Sequence, residues 1–165
     1  MDQIQHHVKN NFTTAYLGLG SNLGDRADHL NRAIELLDNH TAISVIAQSS
    51  HYDNPAIEGA GPQDFLNSVI EIQTSLNPIQ LLDFVLDLEM HIDPDRNSRG
   101  RKLSRQLDID ILRFGDLEMD EERLILPHPR MQERDFVMKP LEEIKRHQTS
   151  LRATAKQSNA KGYAK

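Results

Sequence analysis

The fold is decided by AISVIAQSSHYDNPAIEGAGPQDFLNSVIEIQTS (42–75), a stretch in which two strands follow one another without an intervening helix. Its first part, AISVIAQSSHY (42–52), is rich in β-branched residues, and its second, DFLNSVIEIQTS (64–75), alternates between two faces. The intervening DNPAIEGAGPQ (53–63) is rich in Gly and Pro, which predicts a loop. Consecutive strands joined by a loop favour antiparallel pairing over the repeated strand–helix–strand order of a parallel sheet.

Helices are predicted on both sides of this stretch. The first follows Asp25 as its capping residue, and its apolar positions recur at helical spacing: Leu30, Ala33, Ile34 and Leu37. The second begins at Asn77-Pro78, where Gln80 completes a capping box, and runs to about His91. A last helix is predicted over 135–145. Such amphipathic helices need a sheet face on which to bury their apolar side.

Further strands are predicted at TTAYLGLG (13–20), LDIDILRFG (107–115) and RLILPH (123–128). The order of elements is then βαββαββα. Because strands follow strands in its middle, we expect an α+β fold in which helices pack on a mainly antiparallel sheet.

Length and composition exclude several classes of protein. The chain has 165 residues, which suits one domain. It contains no cysteine, which excludes a disulfide scaffold, thiolate catalysis and cysteine-based zinc sites. No apolar run approaches the roughly 20 residues of a membrane span, and no secretory signal pattern is present, so we expect a cytoplasmic protein without a membrane partner. The sequence is silent on oligomeric state, and a monomer is the default expectation.

Charge is distributed unevenly along the chain. The net charge of −6 argues against nucleic-acid partners, which favour a basic surface. Residues 148–165 nevertheless carry four basic residues and no acid: Arg152, Lys156, Lys161 and Lys165. Because this segment is polar and nearly free of large apolar residues, we predict a disordered basic tail over 148–165, with a disordered leader over 1–12 and a folded domain over 13–147.

Asp108 and Asp110 are the first candidates for chemistry. On a strand, residues i and i+2 point to the same face with Cα atoms roughly 7 Å apart, while Leu107, Ile109 and Ile111 face the core. Neighbouring carboxylates repel unless a cation lies between them, so the pair suits the divalent metal ions of a phosphoryl-transfer site. The alternative is that the two acids form the solvated face of an edge strand.

The polar loop DPDRNSRGRKLSRQ (93–106) immediately precedes this strand. It is dense in basic residues, namely Arg96, Arg99, Arg101, Lys102 and Arg105. An anionic phosphate chain requires guanidinium groups on one side and metal on the other. The loop therefore predicts a phosphate-binding lid, unless its charges serve only solubility.

Weaker signals flank these charged segments. The glycines of GLGSNLG (18–24) match neither a dinucleotide fingerprint nor a P-loop, and favour a tight strand-to-helix turn. Phe65 and Asn67 share a strand face, where a ring and an amide can meet a planar heterocycle; a core Phe beside an incidental Asn is the alternative. His128, in a Pro-His-Pro turn, is either a ligand or a structural residue.

Four segments of the sequence form a set: GLGSNLGD (18–25), SSHYDNPAIEG…DFLN (49–67), SRQLDIDIL (104–112) and LPHPRMQERDFVMKPL (126–141). Together they resemble the 6-hydroxymethyl-7,8-dihydropterin pyrophosphokinases of folate biosynthesis, in the order in which that family carries them. The similarity extends over about residues 13–145. The block R-x-x-D-x-D-I-L, followed by L-P-H and R-x-F, is the specific part of the resemblance.

The resemblance implies a ferredoxin-like α+β fold and transfer of pyrophosphate from the co-substrate ATP to the pterin's hydroxymethyl group, with release of AMP. It implies that Asp108 and Asp110 hold two Mg²⁺ ions and are catalytic together with Arg96 and Arg105. For the pterin it implies a pocket in which two Phe rings enclose the substrate, formed by Asn54, Pro55, Ile57, Phe65, Asn67 and Phe136. For ATP it implies contacts with Glu89, Arg96, Arg105, Ile111, His128 and Arg134.

The segment around the 93–106 loop departs from the family pattern. Pro94 stands where many members have an arginine, Lys102 lies near the position of a tryptophan that this chain lacks, and Pro129 replaces a common aromatic residue. Two hypotheses follow: an active Mg-dependent pyrophosphokinase, or a divergent paralogue that binds pterin or nucleotide without efficient transfer. A third, an RNA-binding ferredoxin-like module, requires exposed aromatic residues and a basic sheet face, and neither is visible in the sequence.

Overall fold

The computed structural model describes residues 12–55, 64–97 and 104–161, and for 154–161 it describes the backbone alone. Within these residues the elements are β1 (Thr13–Ser21), α1 (Arg26–Asp38), β2 (Ile43–Gln48), β3 (Tyr52–Asn54), β4 (Phe65–Thr74), α2 (Pro78–Ile92), β5 (Asp108–Phe114), β6 (Met119–Glu121), β7 (Leu124–Leu126) and α3 (Asp135–Lys161). The predicted order is retained, with the short strands β3 and β6 added. No helix in this described part is long and apolar enough to cross a membrane.

The strands of the main sheet pair antiparallel at every described contact. They lie in the order β2-β4-β1-β5, and β3 pairs with β4 beyond the end of β2. Because β2 pairs with residues 70–74 of β4 and β3 with residues 65–67, the two strands continue one another along the same edge. β6 and β7 form a separate hairpin. The predicted α+β, ferredoxin-like fold with a mainly antiparallel sheet is confirmed.

Both faces of this sheet are used, because successive residues of a strand point in opposite directions. α1 and α2 pack on one face, where Leu17, Ile70 and Ile109 are buried. α3 packs on the other face, against Val69 and Leu112. The part of this second face that lies beyond the start of α3 carries the candidate site.

The two predicted helix caps are present. The Asp25 carboxylate accepts a hydrogen bond from the Asp28 N–H at 3.1 Å. Asn77 and Gln80 form a reciprocal capping box, with distances of 2.8 and 2.9 Å. These caps satisfy backbone N–H groups that the first helical turn leaves without partners, and so fix where each helix begins.

The strand predicted over 42–52 is two strands in the structure. Ser49 lies between them, and its hydroxyl accepts a hydrogen bond from the Val69 N–H at 3.0 Å, while its own N–H donates to the Val69 carbonyl at 2.9 Å. A side chain that replaces a backbone partner interrupts the regular ladder between two strands. The composition of this segment does not show that the Ser49 side chain takes the place of a backbone partner. β6 was not predicted either, because MDE (119–121) has no strand pattern.

α3 extends to Lys161, well past the end predicted at Lys145. Residues 146–161 contain neither Gly nor Pro, so helix propensity continues the helix after its apolar periodicity stops at Ile144. Gln148 Nε2 also donates to Glu71 Oε2 at 2.6 Å, which ties the extension to the sheet. Residues 146–161 thus belong to α3, and the predicted end of the helix at Lys145 is wrong. Residues 1–11 and 162–165 lie outside the described residues, and the division into leader, domain and tail stays a prediction.

Candidate active site

β1 lies in the middle of the sheet, and its end brings residues of β4 and β5 onto one face. Gly20 pairs with Asn67 of β4 on one side and with Asp108 of β5 on the other. Two strand spacings, about 10 Å, separate these two partners. Gly18 lies in the same way between Val69 of β4 and Asp110 of β5. The candidate amide and the candidate carboxylates thus face the same space.

Glycine at position 20 keeps this face open. A Cβ atom there would lie 3.1 Å from Asn67 Oδ1 and 3.6 Å from a ring carbon of Phe65. Gly24 has another role, because its φ of +69° belongs to the left-handed region and lies in the turn between β1 and α1. The predicted turn is therefore correct for Gly24, whereas Gly18 and Gly20 belong to the strand itself.

A cavity of about 520 Å³ lies over this part of the sheet. The segment at the start of α3 forms its opposite wall, where the Arg134 guanidinium lies 5.7 Å from the centre of the Phe136 ring. The cavity brings together eight residues singled out in the sequence: Asn54, Pro55, Phe65, Asn67, Asp108, Asp110, Arg134 and Phe136. Other lining residues carry no signal in the sequence that sets them apart from ordinary surface positions: Arg130, Glu133 and Asp135.

The Asn67 side chain borders this cavity. Its side chain is 6% exposed, and within the described part of the chain its Nδ2 atom has no hydrogen-bond partner. A buried donor left without a partner costs about 1–3 kcal/mol, so such an atom marks a position where a ligand can supply the acceptor. With Phe65 on the same strand face and Phe136 across the cavity, the arrangement suits a flat, polar heterocycle.

Asp110 lies where several charged groups meet. Its Oδ2 atom is 3.3 Å from Arg134 Nη1 and 3.8 Å from His128 Nε2. Partial burial and the negative charge of Asp108 raise the pKa of Asp110 above its ordinary value, although His128 and Arg134 act in the opposite direction. A cation bound at the two carboxylates relieves this repulsion.

Asp108 is held by two arginines of the 93–106 loop. Arg105 Nη1 lies 2.8 Å from Asp108 Oδ1, and Arg96 Nη2 lies 3.5 Å from the same atom. Arg96 Nη1 also contacts Glu89 Oε2 at 2.6 Å and donates to the Leu107 carbonyl at 3.3 Å. Arg96 therefore joins α2 to the beginning of β5.

Glu89 is buried below this cluster. Its side chain accepts a hydrogen bond from the Ile109 N–H at 2.6 Å and pairs with Arg96. Burial, with a contribution from the negative charge of Asp108, raises the pKa of Glu89 to about 7 against the opposing effects of the Ile109 N–H and Arg96. The structure thus places Glu89 in the interior, where it supports β5.

Replacing Arg96 by lysine is expected to lower the free energy of unfolding by about 1–2 kcal/mol, because a lysine ammonium cannot reach all three partners of the guanidinium. Chemical denaturation measures the loss. Arg130→Lys is the matched control, since Arg130 and its partner Glu133 are 66% and 68% exposed and their ion pair contributes little. An Arg96→Lys protein as stable as the wild type would show that Arg96 is not a structural link.

A second cavity, of about 300 Å³, also has Asp110 in its wall. Ile111 and His128, both singled out in the sequence, line it. Leu82 and Arg123 line it as well and were not anticipated. Arg123 opens the segment RLILPH (123–128), which the sequence identified only as a strand. Two cavities that share a carboxylate suit two ligands that meet at that carboxylate.

The ends of the 93–106 loop are fixed by side chains that sequence reasoning missed. Asn22 Oδ1 accepts a hydrogen bond from the Arg105 N–H at 2.7 Å, and the Asn22 N–H donates to the Arg105 carbonyl at 3.0 Å. Asp93 accepts one from the Gln106 N–H at 3.0 Å. Both side chains are buried, but their partners are remote in sequence. No local sequence pattern therefore predicts these hydrogen bonds. The other predicted residues lie outside the described residues: Ile57, Arg99, Arg101 and Lys102.

Known proteins resemble this chain over most of its length. A family model described as 7,8-dihydro-6-hydroxymethylpterin-pyrophosphokinase matches residues 16–146. The chain belongs to this family. A 2-amino-4-hydroxy-6-hydroxymethyldihydropteridine pyrophosphokinase from Bacillus subtilis is 40% identical over 148 residues, which are 90% of this chain and 87% of that protein. Proteins of the same name from Methylorubrum extorquens and Aquifex aeolicus are 41% identical over 132 residues (80% and 82% of the two chains) and 39% over 131 residues (79% of each).

Family membership confirms the predicted enzyme class. The chain is a pyrophosphokinase that transfers pyrophosphate to hydroxymethyldihydropterin in folate biosynthesis. ATP as the co-substrate fits this class.

The pyrophosphokinase has a donor set that fits magnesium at Asp108 and Asp110. Mg²⁺ is commonly bound through one or two carboxylates, with substrate phosphates and water as the other ligands. Among residues 12–55, 64–97 and 104–161, no group of three or more His, Cys, Asp or Glu side chains is arranged to hold a metal ion. The pair therefore suits a cation that arrives with a phosphate group.

Proposed function

We propose that the enzyme transfers the pyrophosphoryl group of ATP to the hydroxymethyl group of 6-hydroxymethyl-7,8-dihydropterin and releases AMP. The pterin occupies the larger cavity, between Phe65 and Phe136, and ATP occupies the smaller cavity. The observation that carries this proposal is the buried amide nitrogen of Asn67, which has no hydrogen-bond partner among the described residues and lies across β1 from the carboxylate pair. The pterin edge supplies a hydrogen-bond acceptor for it.

The ATP phosphates lie over Asp108 and Asp110 in this proposal. The two carboxylates hold two Mg²⁺ ions, which neutralise charge on the phosphate oxygens when they are bound. Ile111 gives the smaller cavity an apolar wall for the base, and Glu89 supports the strand that carries the carboxylates. Three arginines and a histidine surround the phosphates on the remaining sides: Arg96, Arg105, Arg134 and His128.

The transfer depends on positioning more than on covalent chemistry by the protein. The pterin hydroxyl oxygen attacks the β-phosphorus, the bond from that phosphorus to the α–β bridging oxygen breaks, and AMP leaves with this oxygen while the hydroxyl proton passes to water. Asn67 and the two Phe rings orient the pterin so that its hydroxymethyl group faces the carboxylate pair. Arg105 and Arg134 balance the charge that develops on the phosphates.

We further propose that the enzyme is a cytoplasmic monomer whose partners are its two small-molecule substrates. The net charge of −6 disfavours nucleic acid as a partner. Residues of this chain line both cavities.

AMP release from ATP and Mg²⁺, measured with and without the pterin, tests the proposed transfer. We expect AMP when the pterin is present and none after chelation of the metal. Asn67→Ala is expected to raise the KM for the pterin by about tenfold, the ratio for one lost hydrogen bond, and to leave the KM for ATP unchanged. Pterin-independent AMP release would contradict the proposal. Calorimetric binding of the pterin without any AMP would instead favour a divergent binding protein.

A further inference from the structure

Glu143 of α3 accepts three hydrogen bonds from the segment that leads into β3. Its Oε1 atom accepts the Ser50 N–H and the Ser50 hydroxyl, and its Oε2 atom accepts the Tyr52 hydroxyl, each at 2.8 Å. Ser50 and Tyr52 lie 93 and 91 residues before Glu143 in the sequence. Because hydrogen bonds to a charged acceptor are stronger than neutral ones, this carboxylate is a firm link between two distant elements.

β3 carries one wall of the larger cavity. It has three residues, and in the described sheet it pairs with β4, where Tyr52 lies opposite Asn67 and Asn54 opposite Phe65. Asn54 and the following Pro55 line the cavity. A three-residue edge strand has few backbone bonds to hold it, so its position depends on anchors outside the sheet.

α3 carries the opposite wall. Phe136 lies in its first turn, and Glu143 follows seven residues later, a spacing that returns to the same face of a helix. Val137, Leu141 and Ile144 are buried against the sheet and hold this part of α3 in place. The bonds of Glu143 therefore join β3 and the residues before it to the helix that carries Phe136.

A second set of contacts, made by Arg26, holds β3 less strongly than Glu143 does. Arg26 Nη1 donates to Asp53 Oδ1 at 3.1 Å and to the Asp64 carbonyl at 2.6 Å, but the Asp53 side chain is 70% exposed, so water and salt screen the pair.

Burial acts to raise the pKa of Glu143, but the hydrogen bonds from Ser50 and Tyr52 outweigh it and hold the pKa below its ordinary value. Glu143 is thus a charged acceptor at neutral pH.

We propose that Glu143 is a positioning residue for the pterin: through Ser50 and Tyr52 it sets the spacing between β3 and α3, and with it the width of the larger cavity. The inference rests on the proposed location of the pterin in that cavity. Glu143 acts on the substrate through β3, so its loss affects pterin binding and spares the nucleotide site on the other side of the carboxylate pair.

The test compares Glu143→Gln with Glu142→Gln, which removes the same charge from an exposed neighbour. Steady-state kinetics of the full chain give KM for each substrate and kcat. We expect Glu143→Gln to raise the KM for the pterin about tenfold, the ratio for loss of one charge-assisted hydrogen bond of about 1.4 kcal/mol, with the KM for ATP and kcat at saturating pterin unchanged. Glu142→Gln should behave as the wild type.

Tyr52→Phe removes only the hydrogen bond from the Tyr52 hydroxyl to Glu143. It tests the proposal if Glu143→Gln does not fold. We expect a smaller rise in the KM for the pterin, and little additional effect when it is combined with Glu143→Gln, because the bond is then already lost. An unchanged KM for the pterin in the folded variants, or an equal rise for both substrates, would overturn the inference.

Phe136→Ala separates this inference from the proposed function on which it rests. If Phe136→Ala weakens calorimetric binding of the pterin and Glu143→Gln does not, the pterin site stands and the role of Glu143 is refuted. If neither variant weakens binding, the pterin lies elsewhere and both proposals fail. Weaker binding in both variants, with ATP binding retained, supports both.

Discussion

Asp110→Ala is expected to reduce magnesium-dependent pyrophosphoryl transfer by about a thousandfold or more while the protein stays folded. Asp110 supplies one of the two carboxylates proposed to hold the metal-bound phosphates, and its loss also leaves Arg134 and His128 without the negative charge that they face. The pterin-dependent release of AMP measures the effect on transfer. Circular dichroism reports whether the fold is retained.

Asp116→Ala is the control for this change, because it removes the same side chain from an exposed turn after β5. It should leave transfer intact. Binding of the pterin alone should also be nearly unaffected in Asp110→Ala, since Asn67 and both Phe rings remain. An Asp110→Ala enzyme that turns over ATP at the wild-type rate would rule out the proposed metal site.

Gly20→Val is expected to weaken binding of the pterin by about a hundredfold or more. A Cβ at position 20 already lies 3.1 Å from Asn67 Oδ1, and valine adds two methyl groups over the floor of the larger cavity. Loss of the Asn67 hydrogen bond and of ring contact together account for this size. Gly20 does not have a positive φ and lies within β1, so valine suits the backbone and the fold should persist. Calorimetric titration with the pterin measures the change.

Alanine substitutions at two positions of β1 are expected to weaken pterin binding to different extents. At position 20 the new Cβ crowds Asn67 at 3.1 Å, whereas at position 18 it meets Leu112 at 3.5 Å, an ordinary contact. Pterin affinity should therefore fall in the order wild type, Gly18→Ala, Gly20→Ala, Gly20→Val. If Gly20→Val binds the pterin as well as the wild type does, the ligand lies outside this cavity.

Much of the fold follows from local patterns. The capping box at Asn77 and Gln80 marks the start of α2, because the side-chain and backbone partners are three residues apart. The alternation around Asp108 and Asp110 likewise predicts which side chains of β5 face the core, since that alternation is a property of any strand. Such signals need no knowledge of the rest of the molecule.

Features that depend on remote partners could not be predicted in this way. The break at Ser49 requires a backbone group of Val69, and the anchor of Arg105 requires Asn22, 83 residues earlier. The extension of α3 was missed for another reason, because a polar composition is compatible with a helix as well as with disorder.

In the candidate site, too, local patterns could be predicted, and features that depend on remote residues could not. The spacing of Asp108 and Asp110 left a metal-binding pair and a solvated strand face both open, and the arginines of the preceding loop favoured a phosphate site. The pterin came from the resemblance to a family, since a side-chain pattern does not specify one heterocycle. The placement of Asn67 beside Gly20 and across β1 from Asp108 depends on the register of three strands, which only the folded sheet defines.

α3 starts at the larger cavity, and its later turns extend beyond it. At 1.5 Å per residue its 27 residues span about 40 Å, so its far end lies well away from the residues that line this cavity. A fused domain, an affinity tag or a tether to a solid support attached there would be remote from the larger cavity. The far end of α3 is therefore a suitable attachment point for immobilising the enzyme or joining it to another catalyst.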